Sequence, residues 1–158
     1  MADHDYTARI VWTGNRGQGT ASYRGYDRTW NVETPGKPVI ACSNDPLLGG
    51  DPTLHNPEDM LIAALSACHM LWFLHLASEA GIVVEGYEDD PIALGESLPS
   101  GAGRFLSATL RPRITLAPGS DPTAADRIHG RIHAVCFIAR SVKFPVACDA
   151  RYTVRRTA

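Results

Sequence analysis

The sequence contains no closely spaced pair of cysteines. Its four cysteines lie far apart, and they are Cys42, Cys68, Cys136 and Cys148. This spacing excludes a zinc ribbon, which needs CxxC pairs, and also the dense disulfide framework of a small secreted domain. In a reducing compartment the four side chains begin as thiols, so a disulfide between two of them is more typical of catalysis than of structure.

A strong excess of charge of one sign is also missing. The 158 residues include 15 Lys plus Arg and 17 Asp plus Glu, for a formal net charge of -2, and the basic residues are scattered. A nucleic-acid partner is therefore not expected. The first residues are acidic and polar, without a basic region followed by an apolar stretch, so we expect no secretory signal and a cytoplasmic location.

The chain is long and apolar enough to bury one core. Hydrophobic residues make up 44% of it, and no segment has the composition of a low-complexity or disordered region. We therefore predict a single domain over residues 1–158.

The most strongly marked element is a helix that begins after Asn56. Asn56 can cap the helix, Pro57 suits its first turn, and the two acidic residues that follow favour the positive end of the helix dipole. An apolar run from Met60 to Ala77 comes next, and Gly81 offers a C-terminal cap. Because nearly every face is apolar, this helix should be buried all round.

The same run is about as long as the shortest membrane-spanning helix. Its polar residues therefore decide whether it is a membrane span or a core helix. Four of them interrupt the run: Ser66, Cys68, His69 and His75. No Lys or Arg flanks the run, and the sequence has no second segment of this kind. We therefore predict a core helix and no membrane partner.

Shorter elements are predicted on both sides of this helix. Before it, strands over Thr7–Thr13 and Thr20–Val32 form a hairpin, and residues 33–56, rich in Pro and Gly, form a loop. After it, the expected strands are 82–87, 104–110, 114–116 and 150–154, with a bulge or edge at Pro112. A second helix begins at Asp121 and fades near residues 140–144. The order predicts an α+β fold.

Three side chains on the second predicted helix could bind a metal. His129, His133 and Cys136 lie on one face, and the two histidines have the i, i+4 spacing that can chelate an ion. No carboxylate or further cysteine joins them at ligand spacing, so we expect no metal and keep a metal-binding domain as an alternative. On the first helix, His69 and His75 are six residues apart and cannot face one point, so we expect them in the core or a pocket wall.

Two segments resemble motifs of the OsmC/Ohr family of hydroperoxide reductases. Asn56-Pro57-Glu58, followed by Ala64-Leu-Ser-Ala-Cys68, resembles the family's NPE…(S/A)AC pattern, with ten residues between the glutamate and the cysteine. The segment around Cys136 is similar to the family's distal cysteine segment, although Phe137 stands where many relatives have proline. The order of elements around the two motifs is also similar, so the resemblance covers most of the chain.

The resemblance implies a two-layer sheet with a long central helix, in an intertwined homodimer with active sites at the subunit interface. It implies a thiol peroxidase that reduces organic hydroperoxides, and hydrogen peroxide more slowly, without metal, haem or flavin. In that family pattern Cys68 attacks the peroxide, Cys136 resolves the oxidised sulfur, Glu58 orients an arginine beside the thiolate, and a dithiol restores the enzyme.

The arginine is not determined by the motifs, because family members place it in different segments. One placement matches Arg16 in the first hairpin turn and another matches Arg28 on the second strand. We prefer Arg28, because it shares an alternating strand face with Tyr26 and Trp30, whereas a turn arginine is more often solvated. Arg24 on the same face is a weaker third choice.

A partner subunit is also expected from size alone. A chain of about 17 kDa has too little sheet to cover an apolar helix of about 24 residues on all faces. Besides the metal-binding domain, the remaining alternative is a non-catalytic dimeric protein that binds a small apolar ligand. Cys42 and Cys148 have no motif around them and are expected to be structural.

Overall fold

The computed structural model describes residues 3–157, which form one antiparallel sheet, two mixed sheets and helices, one of them long. The α+β class is therefore confirmed. Contacts along the chain group into two compact units, of which the first ends at Leu61 and the second begins at Ile62. The expectation of one domain stays a prediction.

The first unit contains a three-stranded antiparallel sheet. Its strands are β1 (Arg9–Trp12), β2 (Trp30–Glu33) and β3 (Ile40–Cys42), with β2 in the middle. The predicted pairing of the first two strands is confirmed, but β2 begins at Trp30 and not at Thr20. The chain between β1 and β2 is irregular for two reasons. Gly17 and Gly19 have positive φ, and the Gly25 N–H donates to the Ser22 carbonyl to close a further turn.

The segment between β2 and the long helix is not entirely a loop. The short strand β3 lies within it and pairs with β2, so that Trp30 faces Cys42. A single 3-10 turn, Pro46–Leu48, follows and is capped by Asp45. The three apolar residues of β3 lie between Pro-rich segments, and three residues are too few to predict a strand from sequence. Pairing with β2 stabilises them as a strand.

The long helix, α1, runs from Pro57 to Glu79 and has the predicted ends. The Asn56 Oδ1 accepts the Asp59 N–H at 2.7 Å, and an Asp59 carboxylate oxygen accepts the Asn56 N–H at 3.3 Å. These two bonds form a reciprocal cap. At the other end Gly81 has a φ of 70°, and the Ile82 N–H bonds to the Ala77 carbonyl, as in a glycine-terminated helix.

Within this chain only one face of α1 is buried, in line with the expectation that a single chain has too little sheet to cover it. The expectation that a partner covers the rest stays a prediction. The buried residues are Leu65, His69, Phe73, Leu76 and Ala77. On the opposite side Leu71 is 63% exposed. By length and composition α1 could also cross a membrane, with 28% of its most apolar window buried. We keep the interpretation as a core helix, because its buried face belongs to the hydrophobic core of the second unit.

Two mixed sheets of the second unit surround this core. Their strands are β4 (Val84–Asp89), β5 (Ile92–Ser97), β6 (Gly103–Leu110), β7 (Pro112–Leu116), β8 (Val146–Cys148) and β9 (Arg151–Val154). One sheet has the order β4-β7-β9 and the other has the order β5-β6-β8. The chain crosses from one sheet to the other at residues 90–91, 111 and 149–150. Pro112 is the first residue of the central strand β7, so the predicted bulge or edge at this position is wrong.

Two of these strands were not predicted. β5 lies in the stretch assigned to turns, where Gly95 and polar neighbours dilute its alternation, although it pairs along its length with β6. β8 has three residues and follows Pro145, and it is held by parallel pairing with β6. In both cases the neighbouring strand, and not the local sequence, determines the structure.

The second helix is shorter than predicted. Helix α2 runs from Pro122 to Ile132, starts at an Asp121 cap as expected, and is followed by a turn and by helix α3 (Phe137–Ser141). No Pro or Gly marks the break between them. The break places Cys136 at the N-cap of α3, away from the helical face that it was expected to share with His129 and His133.

Candidate functional site: a thiol pair and a histidine-lined cavity

The structure brings Cys68 and Cys136 together. Cys68 lies in the middle of α1, and the Cys136 thiol donates to the Cys68 sulfur across 2.7 Å. Both cysteines are free. A disulfide has an S–S distance of about 2.05 Å, so a small movement of the side chains is enough to bond the two sulfurs. The pair is therefore placed for reversible thiol–disulfide chemistry.

The two thiols differ in environment. Cys136 is fully buried, whereas Cys68 is half-buried. Burial, and after it the hydrogen bond to Cys68, raises the pKa of Cys136 to about 11. Cys136 is therefore a neutral thiol near neutral pH and acts as the hydrogen-bond donor of the pair. Cys68 is the acceptor and the more accessible sulfur.

The cap of α3 holds Cys136 in place. The Ala139 N–H donates to the Cys136 sulfur at 3.4 Å, which is a helix-capping contact made by a thiol. Phe137, which stands where many relatives have proline, occupies the first position of α3. Proline is favoured at that position because its missing N–H is not needed there. Phenylalanine fits the same backbone, so this departure does not separate Cys136 from Cys68.

A second contact fixes the turn of α1 that carries Cys68. The Ser66 hydroxyl donates to Asp89 at 2.5 Å, and the other Asp89 oxygen accepts the Arg111 N–H at 2.7 Å. Asp89 therefore links α1 to the point where β6 passes into β7. In the sequence, Ser66 interrupts an apolar run and lies in the Cys68 motif, and nothing local indicated its distant partner.

Next to the thiol pair in sequence, His69 opens onto a cavity of about 290 Å³. Its lining consists of Leu65, His69, His129, Gly130, His133, Ala139, Val146, Ala147 and Cys148. The Nε2 of His69 and the Nδ1 of His129 lie 2.7 Å apart, and the Cys148 sulfur lies 3.5 Å from the same Nδ1. The cavity thus joins residues that are up to 83 positions apart in the chain.

This arrangement corrects the predicted metal-chelating face. His129 and His133 both line the cavity, but Cys136 pairs with Cys68, because α2 ends at Ile132. The thiol that accompanies His129 is instead Cys148, at the end of the unpredicted strand β8. The ligand set expected for a metal-binding domain is therefore wrong.

The histidines of α1 have different surroundings. His69 is buried, as expected, whereas His75 is exposed and lies 3.5 Å from Glu79, so its assignment to the core or a pocket wall is wrong. Burial, together with the neighbouring His129, lowers the pKa of His69 to about 4. Burial also lowers the pKa of His129. Both imidazoles are neutral near pH 7.

Of the remaining thiols, Cys148 is half-buried, and burial, followed by nearby carboxylates, raises its pKa to about 12. Cys42 is fully buried in the first unit, where burial raises its pKa and its thiol lies 3.5 Å from the Met60 sulfur. Its environment is that of a packed core thiol.

Arg28 is held by two tyrosines of the first unit. Its guanidinium lies 4.4 Å from the ring centroid of Tyr23 and 4.8 Å from that of Tyr26, and it donates to the Tyr23 carbonyl at 3.0 Å. Arg28 precedes β2, so it does not lie on the expected strand face. Arg28 is half-buried, whereas Arg16 is exposed and lies 3.6 Å from Asp27.

Glu58 occupies the first turn of α1 and is exposed. Ten residues of α-helix separate it from Cys68, which corresponds to about 15 Å of rise. It therefore cannot contact the Cys68 sulfur within its own helix. The roles expected for Arg28, Arg16 and Glu58 stay predictions.

Comparison with known proteins supplies the family. The sequence pattern of the family described as OsmC-like protein matches residues 50–151. The chain therefore belongs to the OsmC-like family, as the two cysteine motifs predicted.

Relatives share the fold over nearly the full chain. An OsmC-like protein of unknown function from Vibrio cholerae has a TM-score of 0.84 and 27% identity, covering 96% of this chain and 100% of that chain. An organic hydroperoxide resistance protein OsmC from Legionella pneumophila has a TM-score of 0.65 and 20% identity, with the same coverage. The uncharacterized protein YmaD of Bacillus subtilis is 20% identical over 98% of this chain and 97% of its own length.

The contrast between the two thiols predicts selective alkylation. When the reduced protein is treated with limiting iodoacetamide near pH 7, we expect Cys68 to be modified well before Cys136, because Cys136 is buried and protonated. Peptide mapping by mass spectrometry measures the order, and urea-unfolded protein is the control in which the preference disappears. Equal modification of the two thiols in the folded protein contradicts the prediction.

Proposed function

We propose that this protein is a thiol peroxidase that reduces organic hydroperoxides, and hydrogen peroxide more slowly, with Cys68 as the nucleophile and Cys136 as the resolving thiol. The observation that carries the proposal is the 2.7 Å contact between the accessible Cys68 sulfur and the buried Cys136 thiol. Membership of the OsmC-like family supports it, because relatives of the same fold are named organic hydroperoxide resistance proteins.

The chemistry needs three balanced steps. The Cys68 thiolate attacks the outer oxygen of the hydroperoxide, the O–O bond breaks, and the alcohol leaves with one proton while Cys68 becomes a sulfenic acid. The Cys136 sulfur then attacks Cys68, releasing water and forming a disulfide. An external dithiol exchanges with this disulfide and is itself oxidised, which returns both cysteines to thiols. The cycle uses no metal, haem or flavin.

Apolar side chains near Cys68 favour an organic peroxide over a small polar one. Leu71 and Trp72 follow Cys68 by one helical turn on α1, and Leu65 precedes it by one turn. We place the reaction in the cytoplasm, where dithiol reductants are available.

The arginine is proposed to be Arg28. An arginine beside a thiolate favours the charged form and can stabilise the oxygen that leaves the peroxide. Contacts with Tyr23 and Tyr26 already order the Arg28 guanidinium, so less conformational freedom is lost when it binds a thiolate. Arg16 is instead engaged by Asp27 and by the Arg24 carbonyl in an exposed turn.

The active unit is proposed to be an intertwined homodimer. The face of α1 that this chain leaves uncovered carries Leu61, Leu71 and small residues, which suits burial against a second copy. Because Glu58 is about 15 Å along the helix from Cys68, we assign the Glu58 that orients the arginine of each site to the partner subunit.

Replacing Cys68 by serine should reduce peroxide consumption to background, because serine supplies no comparable nucleophile. Cys136→Ser should permit one round of oxidation and trap Cys68 as a sulfenic or more oxidised acid, visible as added oxygen by mass spectrometry. Cys42→Ser is the matched control and should retain turnover. Wild-type turnover of Cys68→Ser would refute the proposal. A non-catalytic ligand-binding protein would lose no free thiols after one equivalent of peroxide.

The choice of arginine can be tested by the rate of Cys68 alkylation near neutral pH. We expect Arg28→Ala to slow it by about tenfold, a magnitude typical of losing one neighbouring positive charge. Arg16→Ala, in which a similar but exposed side chain is removed, should have a smaller effect. The opposite ranking would assign the role to the hairpin turn.

The placement of Glu58 can be tested with mixed dimers. A Glu58→Ala chain combined with a Cys68→Ser chain creates one site with an intact cysteine and an intact glutamate, provided that Glu58 acts across the dimer. We expect each heterodimer to recover up to about half of the activity of a wild-type dimer, since one of its two sites is complete. No recovery in a mixture shown to contain heterodimers means that Glu58 acts within its own chain or only at the helix terminus.

A further inference from the structure

Three potential metal ligands converge at the wall of the cavity. His69 comes from α1, His129 from α2 and Cys148 from β8, and their ligand atoms all lie within 4.8 Å of one another. No part of the proposed peroxide chemistry uses these side chains. The cluster is separate from the Cys68–Cys136 pair, although His69 follows Cys68 in the chain.

We propose that His69, His129 and Cys148 bind one divalent zinc ion. Two imidazole nitrogens and one thiolate are ligands that zinc prefers, and this set of three contains no carboxylate, which argues against magnesium or calcium. The proposal goes beyond the peroxidase function and departs from the expectation, drawn from the sequence, that the protein binds no metal.

A tetrahedral zinc ion fits the Cys148–His129 distance and would replace the hydrogen bond between His69 and His129. Zinc lies about 2.3 Å from sulfur and about 2.0–2.1 Å from nitrogen, so tetrahedral geometry separates S and N ligands by about 3.5 Å and two N ligands by about 3.3 Å. The Cys148 sulfur is 3.5 Å from the His129 Nδ1. The His69 Nε2 is 2.7 Å from that Nδ1, so the imidazoles must open by about 0.6 Å.

The surroundings suit a bound ion with one open position. His69 is 7% exposed, and Phe73 stacks on the His129 ring at 4.6 Å, so two of the ligands are held by packing. The third side of the cluster faces the cavity of about 290 Å³, which His133 also lines. Zinc that has three protein ligands and a fourth position open to a cavity can bind water or a small ligand there.

A bound ion would have two direct effects. It would join α1, α2 and β8 through coordination bonds, which adds stability because the unfolded chain does not hold the three ligands together. It would also keep the Cys148 sulfur bonded to metal and so protect it from oxidation while the neighbouring thiol pair is oxidised and reduced.

Zinc binding should be measured in a Cys68→Ser, Cys136→Ser background, because the thiol pair could itself bind metal. After chelator treatment under reducing conditions, we expect about one zinc per chain by competition with a chromogenic chelator. In this background Cys148→Ser and His129→Gln should weaken binding by at least about tenfold, since loss of an outer partner alone costs that much. His75→Gln, an exposed histidine on the same helix, is the control and should bind normally.

Cobalt provides a second readout that does not depend on affinity. Co²⁺ added to the background protein should give a sulfur-to-metal charge-transfer band, and Cys148→Ser should lose it. Circular dichroism checks that each variant is folded. A folded background protein that takes up no stoichiometric zinc overturns the proposal, and so does undiminished zinc binding by Cys148→Ser. Both measurements use a chain without the thiol pair, so their results do not depend on whether the proposed peroxidase function is correct.

Discussion

The structure depends on covering one apolar helix with a small chain. Helix α1 is apolar on nearly all sides, and the described residues bury only the face that includes Leu65 and Phe73. That face anchors the core of the second unit, where Leu110, Ile114 and Ile132 are also fully buried. Because the buried face fixes the rotation of the helix, it also fixes the direction in which Cys68 and His69 point.

The rotation of α1 separates two chemically different sites, the Cys68–Cys136 pair and the cavity lined by His69. Adjacent residues on an α-helix differ by about 100° around its axis, so Cys68 and His69 face different neighbours. Cys68 meets the cap of α3, and His69 meets α2 and β8 at the cavity. The first contact pairs a half-buried sulfur with a buried protonated thiol, and the second joins two neutral imidazoles and a third thiol.

Local signals in the sequence were sufficient for part of the fold. Asn56, Pro57 and Gly81 determine where α1 begins and ends through caps that need only their immediate neighbours, and both ends are as predicted. β8 and the break after Ile132 have no such signals, because strand pairing and tertiary packing determine them. Since β8 carries Cys148 and the break redirects Cys136, the ligand set considered for the alternative metal-binding domain was wrong, although His129 belongs to both sets.

The candidate thiol pair was predictable for a different reason. Periodicity alone does not distinguish Cys68 from an inert core thiol, and the pairing with Cys136 came from the family resemblance. The structure adds what the motifs do not contain, namely which sulfur is buried and which donates the hydrogen bond. It also identifies Ser66 and Asp89 as the contact that holds this part of α1.

The burial of Cys136 has a consequence for how an oxidised pair would be restored. A reducing thiol arriving from solvent must attack the sulfur that it can reach, so the mixed disulfide forms on Cys68 and Cys136 is the group that departs. A thiol whose pKa is about 11 is a slow leaving group. In the proposed cycle, burial of Cys136 therefore slows the return of the disulfide to two thiols, and the sulfur that a reductant can reach lies on α1.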